Sequence, residues 1–182
     1  MRILLIKTSS LGDVIHTFPA ITDAVAHHPN LSIDWVVEEG FSPIPLLHPA
    51  VKQVFPIAIR RWRKHLWRTS TLKEILAAMR QIRLQDYDLV LDAQGLLKSS
   101  FLSLVGRGKR YGYGWNGARE ALASLFYQQK FDIPWTIPSI DRTRSLFAQT
   151  FGYPVPTTPT NAGLSFETST RDHKILFLPG AS

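Results

Sequence analysis

Residues 2–13 read RILLIKTSSLGD: an arginine, four consecutive large aliphatic residues, and then a polar turn that closes on glycine and aspartate. A short apolar run bounded by turn residues marks a strand buried on both faces of a parallel sheet. From residue 13 to residue 27 the period changes. Val14, Phe18, Ile21 and Val25 recur at steps of three and four, which predicts a helix with one apolar face. Ser9, Ser10 and Asp13 stand where capping side chains belong. A buried strand that feeds a helix through a short polar turn is the opening unit of an α/β sheet.

The rest of the chain repeats that unit. At 32–38, SIDWVVE, Ile33, Trp35 and Val37 alternate with more polar neighbours, and a third short strand is expected near 54–57. A helix over 71–85 carries an inner stripe of Leu72, Ile75, Leu76, Met79 and Ile82, with Thr71 and Glu74 spaced as a capping box. Residues 87–92 are another buried strand, and 96–105, 119–127 and 140–150 read as helices around a glycine-rich stretch at 106–117. This alternation predicts a Rossmann-like α/β fold, a parallel sheet with helices on both faces. The segment 152–163, GYPVPTTPTNAG, holds three prolines and three threonines and reads as a linker. After it, KILFL at 174–178 is a new strand followed by the turn PGAS. The expected organisation is a domain at 1–151, a linker at 152–163, and at 164–182 the first strand of a truncated second domain.

At 182 residues the chain has room for about one domain. Its 45% apolar content excludes wholesale disorder, and the lack of cysteine excludes disulfides, a thiolate zinc site and a cysteine nucleophile. Twenty-one Lys and Arg against 14 Asp and Glu leave a formal charge of +7, which calls for an anionic partner. No apolar run approaches the roughly 20 residues that span a bilayer. The N-terminus lacks the cleavage site of a signal peptide, so the cytoplasm is the expected compartment. The 6 histidines have no ligand spacing, and no metal is expected.

In open α/β sheets ligands bind at the carboxyl ends of the strands, which puts the turn at 7–13 first among candidate sites. Backbone N–H groups, hydroxyls and Lys7 suit an anion there, and Gly12 leaves room for a ligand to approach. Asp13 is either a helix cap or a general base aimed at a hydroxyl; the pattern alone leaves both open. In RRWRKHLWR at 60–68, Arg60, Arg61, Arg63, Lys64 and Arg68 interleave with Trp62 and Trp67. Guanidinium forks match phosphates and carboxylates, and the indoles either stack on a base, pack under a sugar or rest on a membrane, or dock on the core of a solvated basic loop. The end of the next strand, Asp92, Ala93, Gln94 and Gly95 with Lys98 beyond, either positions a sugar or caps the strand. Two motifs are decoys. GYGWNG at 112–117 matches G-x-G-x-x-G but follows no apolar strand of the first unit. DYD at 86–88 sits at the wrong end of its strand.

Taken together, RILLIKTSSLGDVIHTFPA, DWVVEEGF, AIRRWRK, LVLDAQGLLKS and DRTR resemble the lipopolysaccharide heptosyltransferase I family, glycosyltransferase family 9 enzymes of GT-B architecture. The resemblance runs from residue 1 to about residue 150. It implies an inverting transfer of L-glycero-D-manno-heptose from ADP-heptose to the Kdo2-lipid A acceptor, with no cofactor. It implies that Asp13 is the catalytic base and that Lys7, Ser10, Gly12, Arg60, Arg61, Trp62, Arg63, Lys64, Lys98, Arg119 and Arg142 bind the acceptor. It further implies peripheral contact with the inner face of the inner membrane, and a donor site largely in the missing domain, so that this chain alone is expected to be inactive. One departure stands out: where the family has a histidine four residues before Arg142, this sequence has Pro138. The charge alone also suits a non-catalytic anion- or nucleic-acid-binding module, which would show a steep salt dependence. The resemblance implies no nucleic-acid partner.

Overall fold

The computed structural model describes residues 1–164. Six strands form one parallel sheet: β1 (Arg2–Ile6), β2 (Ser32–Glu38), β3 (Val51–Ile57), β4 (Asp86–Asp92), β5 (Arg107–Tyr113) and β6 (Gln129–Phe131). Their order is β3-β2-β1-β4-β5-β6. The chain starts at the centre, builds outward to one edge, then returns to β1 and builds the other half. Between β1 and β4, paired from Ile3 opposite Leu89 to Ile6 opposite Asp92, the winding reverses. Loops leaving two such strands diverge and open a crevice at their carboxyl ends.

The helices are α1 (Leu11–Ile15), α2 (Phe18–His27), α3 (Ile59–Trp62), α4 (Thr69–Arg83), α5 (Leu97–Ser103) and α6 (Ser139–Phe151). Alternate strand residues point to opposite faces. Ile3, Leu5, Trp35 and Leu91 pack with Val14, Phe18, Ile21 and Phe147 of α1, α2 and α6. Leu4, Ile6, Val36 and Val90 pack with Trp62, Ile82 and Leu102 of α3, α4 and α5. Because both faces are covered, β1 is apolar at successive positions, and Ile3, Leu4, Leu5 and Ile6 are all fully buried.

Several expectations are corrected. The helix at 13–27 is two helices, because Pro19 has no N–H to continue the ladder; α2 restarts with that proline in its first turn, where the donor is not needed. The third strand begins earlier, at Val51. Helix α4 starts at Thr69, so Thr71 lies inside it and forms no capping box, while Glu74 turns to Arg61. The glycine-rich stretch contains β5, and the expected helix at 119–127 is a 3-10 segment, Ala121–Phe126.

Residues 153–164 have no regular structure, yet they lie against the domain. Tyr153 is buried and stacks on His27 with centroids 4.5 Å apart. Arg144, paired with Asp23, donates to the Thr158 carbonyl at 3.0 Å. Ala162 and Leu164 pack on the α2 and α6 side of the core. The strand expected at 174–178 lies outside the described residues.

Candidate active site

Past Ile6 the turn leaves the sheet and its backbone needs new partners. Lys7 N–H still reaches the Val36 carbonyl at 3.3 Å, and the Lys7 carbonyl accepts from Trp35 Nε1 at 3.0 Å. The next two amides, of Thr8 and Ser9, donate to Gln94 Oε1 at 3.1 and 3.3 Å. Gln94 belongs to the turn after β4, and that turn is itself built on a buried carboxylate. Asp92 Oδ1 accepts from the Gln94 and Gly95 amides at 2.8 and 3.2 Å, and Oδ2 accepts from the Tyr127 hydroxyl at 2.7 Å. Burial pushes the Asp92 carboxyl upward against the pull of these bonds. Burial, with the neighbouring Asp92, also pushes the Tyr127 hydroxyl up.

Asp13 lies in the first turn of α1. Its Oδ2 accepts from the Ser10 amide at 3.0 Å, so it is a cap. The same carboxylate also faces two cations: Oδ1 is 4.0 Å from Lys7 Nζ and Oδ2 is 3.8 Å from Arg119 Nη1. Capping and facing a ligand cavity are therefore not alternatives here. Lys7 is buried, and its Nζ donates to the Ala93 carbonyl at 2.9 Å. Burial lowers its ammonium to about 8; Asp13 opposes that drop and Arg119 adds to it.

Arg142, on α6, completes the cluster. Its Nη2 donates to the Gly117 carbonyl at 2.5 Å, and its guanidinium lies 3.5 Å from the Trp135 ring centroid and 5.1 Å from that of Tyr113. Its Nε is buried without a partner among the described residues. Burial lowers its affinity for the proton. These groups enclose a cavity of about 170 Å³ walled by Lys7, Asp13, Gln94, Arg119, Trp135 and Arg142. A second, wider cavity of about 860 Å³ is walled by Ser9, Lys98, Arg60, Arg61, Arg63 and Lys64, with Glu38 and Glu39 among them. The turn at 7–13 contributes to both.

The structure thus gathers Lys7, Asp13, Arg119 and Arg142 around one cavity, and Arg60, Arg61, Arg63, Lys64 and Lys98 around the other. Ser10 and Gly12 stay on the exposed outer rim, and a Cβ added to Gly12 would meet nothing within 4 Å among the described residues. Two assignments change. Trp62 is 6% exposed and packs in the core beneath α3, so its ring is not available to an acceptor; Trp67, at 98%, is the exposed indole. Arg61 lines the cavity with its fork engaged twice, by Glu39 at 3.1 and 3.0 Å and by Glu74 at 2.9 and 2.5 Å. Tyr113 and Trp135, which flank Arg142, were not foreseen. The one sequence signal for them was proximity to the GYGWNG and DRTR segments.

Neither decoy motif makes a glycine loop of its own around a ligand, although Tyr113 and Gly117 of GYGWNG help wall the smaller cavity. A Cβ at Gly112 would lie 2.5 Å from the Tyr127 ring, and at Gly114 it would strike the Asp132 carboxylate, so these glycines admit the returning segment. At the amino end of β4, Asp88 Oδ2 accepts from the Arg2 amide at 2.7 Å, across the sheet from the cavities. Among the described residues no three His, Asp or Glu side chains gather to hold a metal ion. No described helix is long and apolar enough to cross a membrane.

Comparison with known proteins adds independent findings. Residues 75–182 match the family described as Glycosyltransferase family 9 (heptosyltransferase). The lipopolysaccharide heptosyltransferase 1 of Pseudomonas aeruginosa is 52% identical over 168 residues, covering 92% of this chain and 47% of that protein. The Escherichia coli heptosyltransferase WaaC solved with ADP superposes with a TM-score of 0.87 at 47% identity, over 90% of this chain and 51% of that one. WaaC solved with ADP-2-deoxy-2-fluoro heptose gives the same TM-score and identity over 89% of this chain and 52% of that one. The chain spans about half the length of the relatives it matches. Since the family's pattern covers more than half of the sequence and the P. aeruginosa relative aligns along nearly all of it, the chain belongs to glycosyltransferase family 9, the heptosyltransferases.

Proposed function

We propose that this chain is the acceptor half of an inverting heptosyltransferase that moves L-glycero-D-manno-heptose from ADP-heptose to a Kdo residue of Kdo2-lipid A. The observation that carries the reading is the Asp13 carboxylate at the sheet's switch point, with Lys7 and Arg119 within 4.0 Å and Arg142 on the same small cavity. A lone carboxylate among cations suits a base that must receive an acidic sugar. Asp13 takes the proton from the acceptor hydroxyl, whose oxygen bonds to the anomeric carbon as the carbon–oxygen bond to ADP breaks on the opposite face. ADP departs with that electron pair, and the configuration inverts. A base in this role must come within about 3 Å of the hydroxyl.

The cations divide the rest of the work. Lys7, Arg119 and Arg142 meet the Kdo carboxylate, while Arg60, Arg63, Lys64 and Lys98 meet lipid A phosphates, with Arg61 joining once its carboxylate partners release it. Ser10 and Gly12 shape the rim. WaaC, solved with ADP and with an ADP-heptose analogue, supports the donor; its site belongs largely to the second domain, whose first strand we assign to 164–182 after the 152–163 connection. The enzyme works from the cytoplasm as a peripheral protein of the inner membrane. Trp67 and its basic neighbours face the lipid, each cation worth on the order of 1 kcal/mol at an anionic surface.

The test is transfer by the full-length enzyme from ADP-heptose to Kdo2-lipid A, with and without a chelator, beside Asp13→Asn. We expect wild-type transfer that ignores the chelator, loss of turnover in a folded Asp13→Asn protein, and no turnover by the 182-residue chain alone. Full turnover by Asp13→Asn overturns the assignment of the base.

A further inference from the structure

Gln94 follows β4, but its hydrogen bonds cross the switch point. The pairing of β1 with β4 ends where Ala93 N–H meets the Ile6 carbonyl at 3.0 Å. Beyond it the Thr8 and Ser9 amides have left the ladder, and Thr8 is fully buried. Both amides point at one atom, Gln94 Oε1, at 3.1 and 3.3 Å. A buried N–H without an acceptor is costly, so this oxygen fixes where the chain goes between Lys7 and α1. Two converging N–H donors require a carbonyl or carboxylate oxygen, which also settles the orientation of the side-chain amide.

Only glutamine and glutamate combine that oxygen with this reach, and they differ in charge. Gln94 walls the cavity that holds Lys7, Arg119 and Arg142. The neighbouring Ala93 carbonyl accepts from Lys7 Nζ, so the β4 turn grips both the backbone and the side chain of the β1 turn. A glutamate would hold the two amides as well as glutamine does. It would also set a second anion beside Asp13, pair with the cavity's cations and repel an acidic ligand. We propose that Gln94 is a positioning residue that clamps the turn carrying Lys7 and Asp13, and that its neutrality adds no second anion to compete with an acidic sugar for the three cations. The proposal rests on the transferase reading above and adds to it the residue that sets acceptor selectivity.

The experiment compares Gln94→Glu and Gln94→Leu in the full-length enzyme, with kcat and both KM values measured on ADP-heptose and Kdo2-lipid A. Gln94→Glu keeps the clamp, so its kcat should fall clearly less than that of Gln94→Leu while the acceptor KM rises about tenfold and the donor KM holds. Gln94→Leu removes the clamp, so kcat should fall about tenfold or more. An acceptor KM unchanged in Gln94→Glu overturns the selectivity role, and wild-type kcat in Gln94→Leu overturns the clamp. Equal loss of kcat in both variants also overturns the clamp, because the conservative variant must rescue it. If Gln94→Leu does not fold, Gln94→Ala replaces it as the variant without the acceptor oxygen, and wild-type kcat in Gln94→Ala overturns the clamp. If the wild-type enzyme transfers no heptose, it is the transferase reading that fails; Gln94 is then judged by calorimetric binding of free Kdo, which Gln94→Glu must weaken.

Discussion

Replacing Asp13 by asparagine should do more than remove a base: it should discharge Lys7 near neutral pH. Lys7 Nζ lies 4.0 Å from Asp13 Oδ1. At that distance a unit charge pair is worth about 1 kcal/mol in bulk water and about 4 kcal/mol at an effective dielectric constant near 20. The two side chains are 7% and 12% exposed, so the true figure lies between these limits. At about 1.36 kcal/mol per pH unit, loss of the carboxylate should lower the Lys7 midpoint by roughly one to three pH units. The starting point is about 8, already brought down by burial. The sign is fixed, because a neutral amide no longer favours the charged ammonium. In the variant Lys7 should therefore titrate at or below about 7. Kdo binding should then weaken as pH rises through neutrality, whereas wild-type binding weakens only as pH passes about 8. Titration of 13Cε-labelled lysine by NMR reads the midpoint, and calorimetry with Kdo between about pH 5 and 9 reads the consequence. A Lys7 midpoint in Asp13→Asn equal to or above the wild-type one refutes the reasoning. The same group carries a stability signature. Its folded value of about 8 lies below the unfolded 10.5, so the cost of burying the ammonium, about 3 kcal/mol, is fully present below pH 8. Stability from Lys7 should rise between about pH 8 and 10.5.

The two tryptophans of the basic run should separate cleanly. Trp62→Ala should lose about 3–5 kcal/mol in urea unfolding, while Trp67→Ala should leave the unfolding midpoint in place and reduce retention on anionic vesicles. Gly112→Ala should cost about 1–3 kcal/mol by thermal or urea unfolding, since its methyl group meets the Tyr127 ring. Glu39→Gln combined with Glu74→Gln should release Arg61 and lower the acceptor KM of the full-length enzyme, with the gain shrinking as salt is added. An unchanged KM would show that Arg61 is not an acceptor ligand.

The centre of the sheet was legible because burial on both faces leaves a mark that needs no partner: β1 and residues 89–91 of β4 are apolar runs that end in polar turns, and those turns hold the candidate site. The edges were not. β5 reads RGKRYGY, with glycines where Tyr127 and the β4 backbone come close, so packing against other segments sets its composition and no period of its own survives. β6 is three residues long and carries no period at all. The family resemblance supplied Asp13 and the cations, while the chemistry of the turn alone left cap and base open; the structure shows the cap and sets the same carboxylate against Lys7 and Arg119. Trp62 was misread because a basic run masks the one face of α3 that turns inward. The double engagement of Arg61 depends on Glu39 and Glu74, distant residues that no local pattern ties to it. The same holds for the Arg142 sandwich, whose aromatic walls come from β5 and from the loop before α6.

The way the chain leaves the sheet has a mechanical consequence. Left free, 152–163 would reach about 40 Å when extended and would let a following unit drift on a tether. Here Tyr153 lies on His27, the Thr158 carbonyl is held by Arg144, and Gly163, at a φ of +65°, sits beside Thr22 and His48. With those three pins in place, the slack is spent before Leu164. A unit joined beyond that point would therefore start from a fixed exit on the α2 and α6 side and not from the end of a free strap.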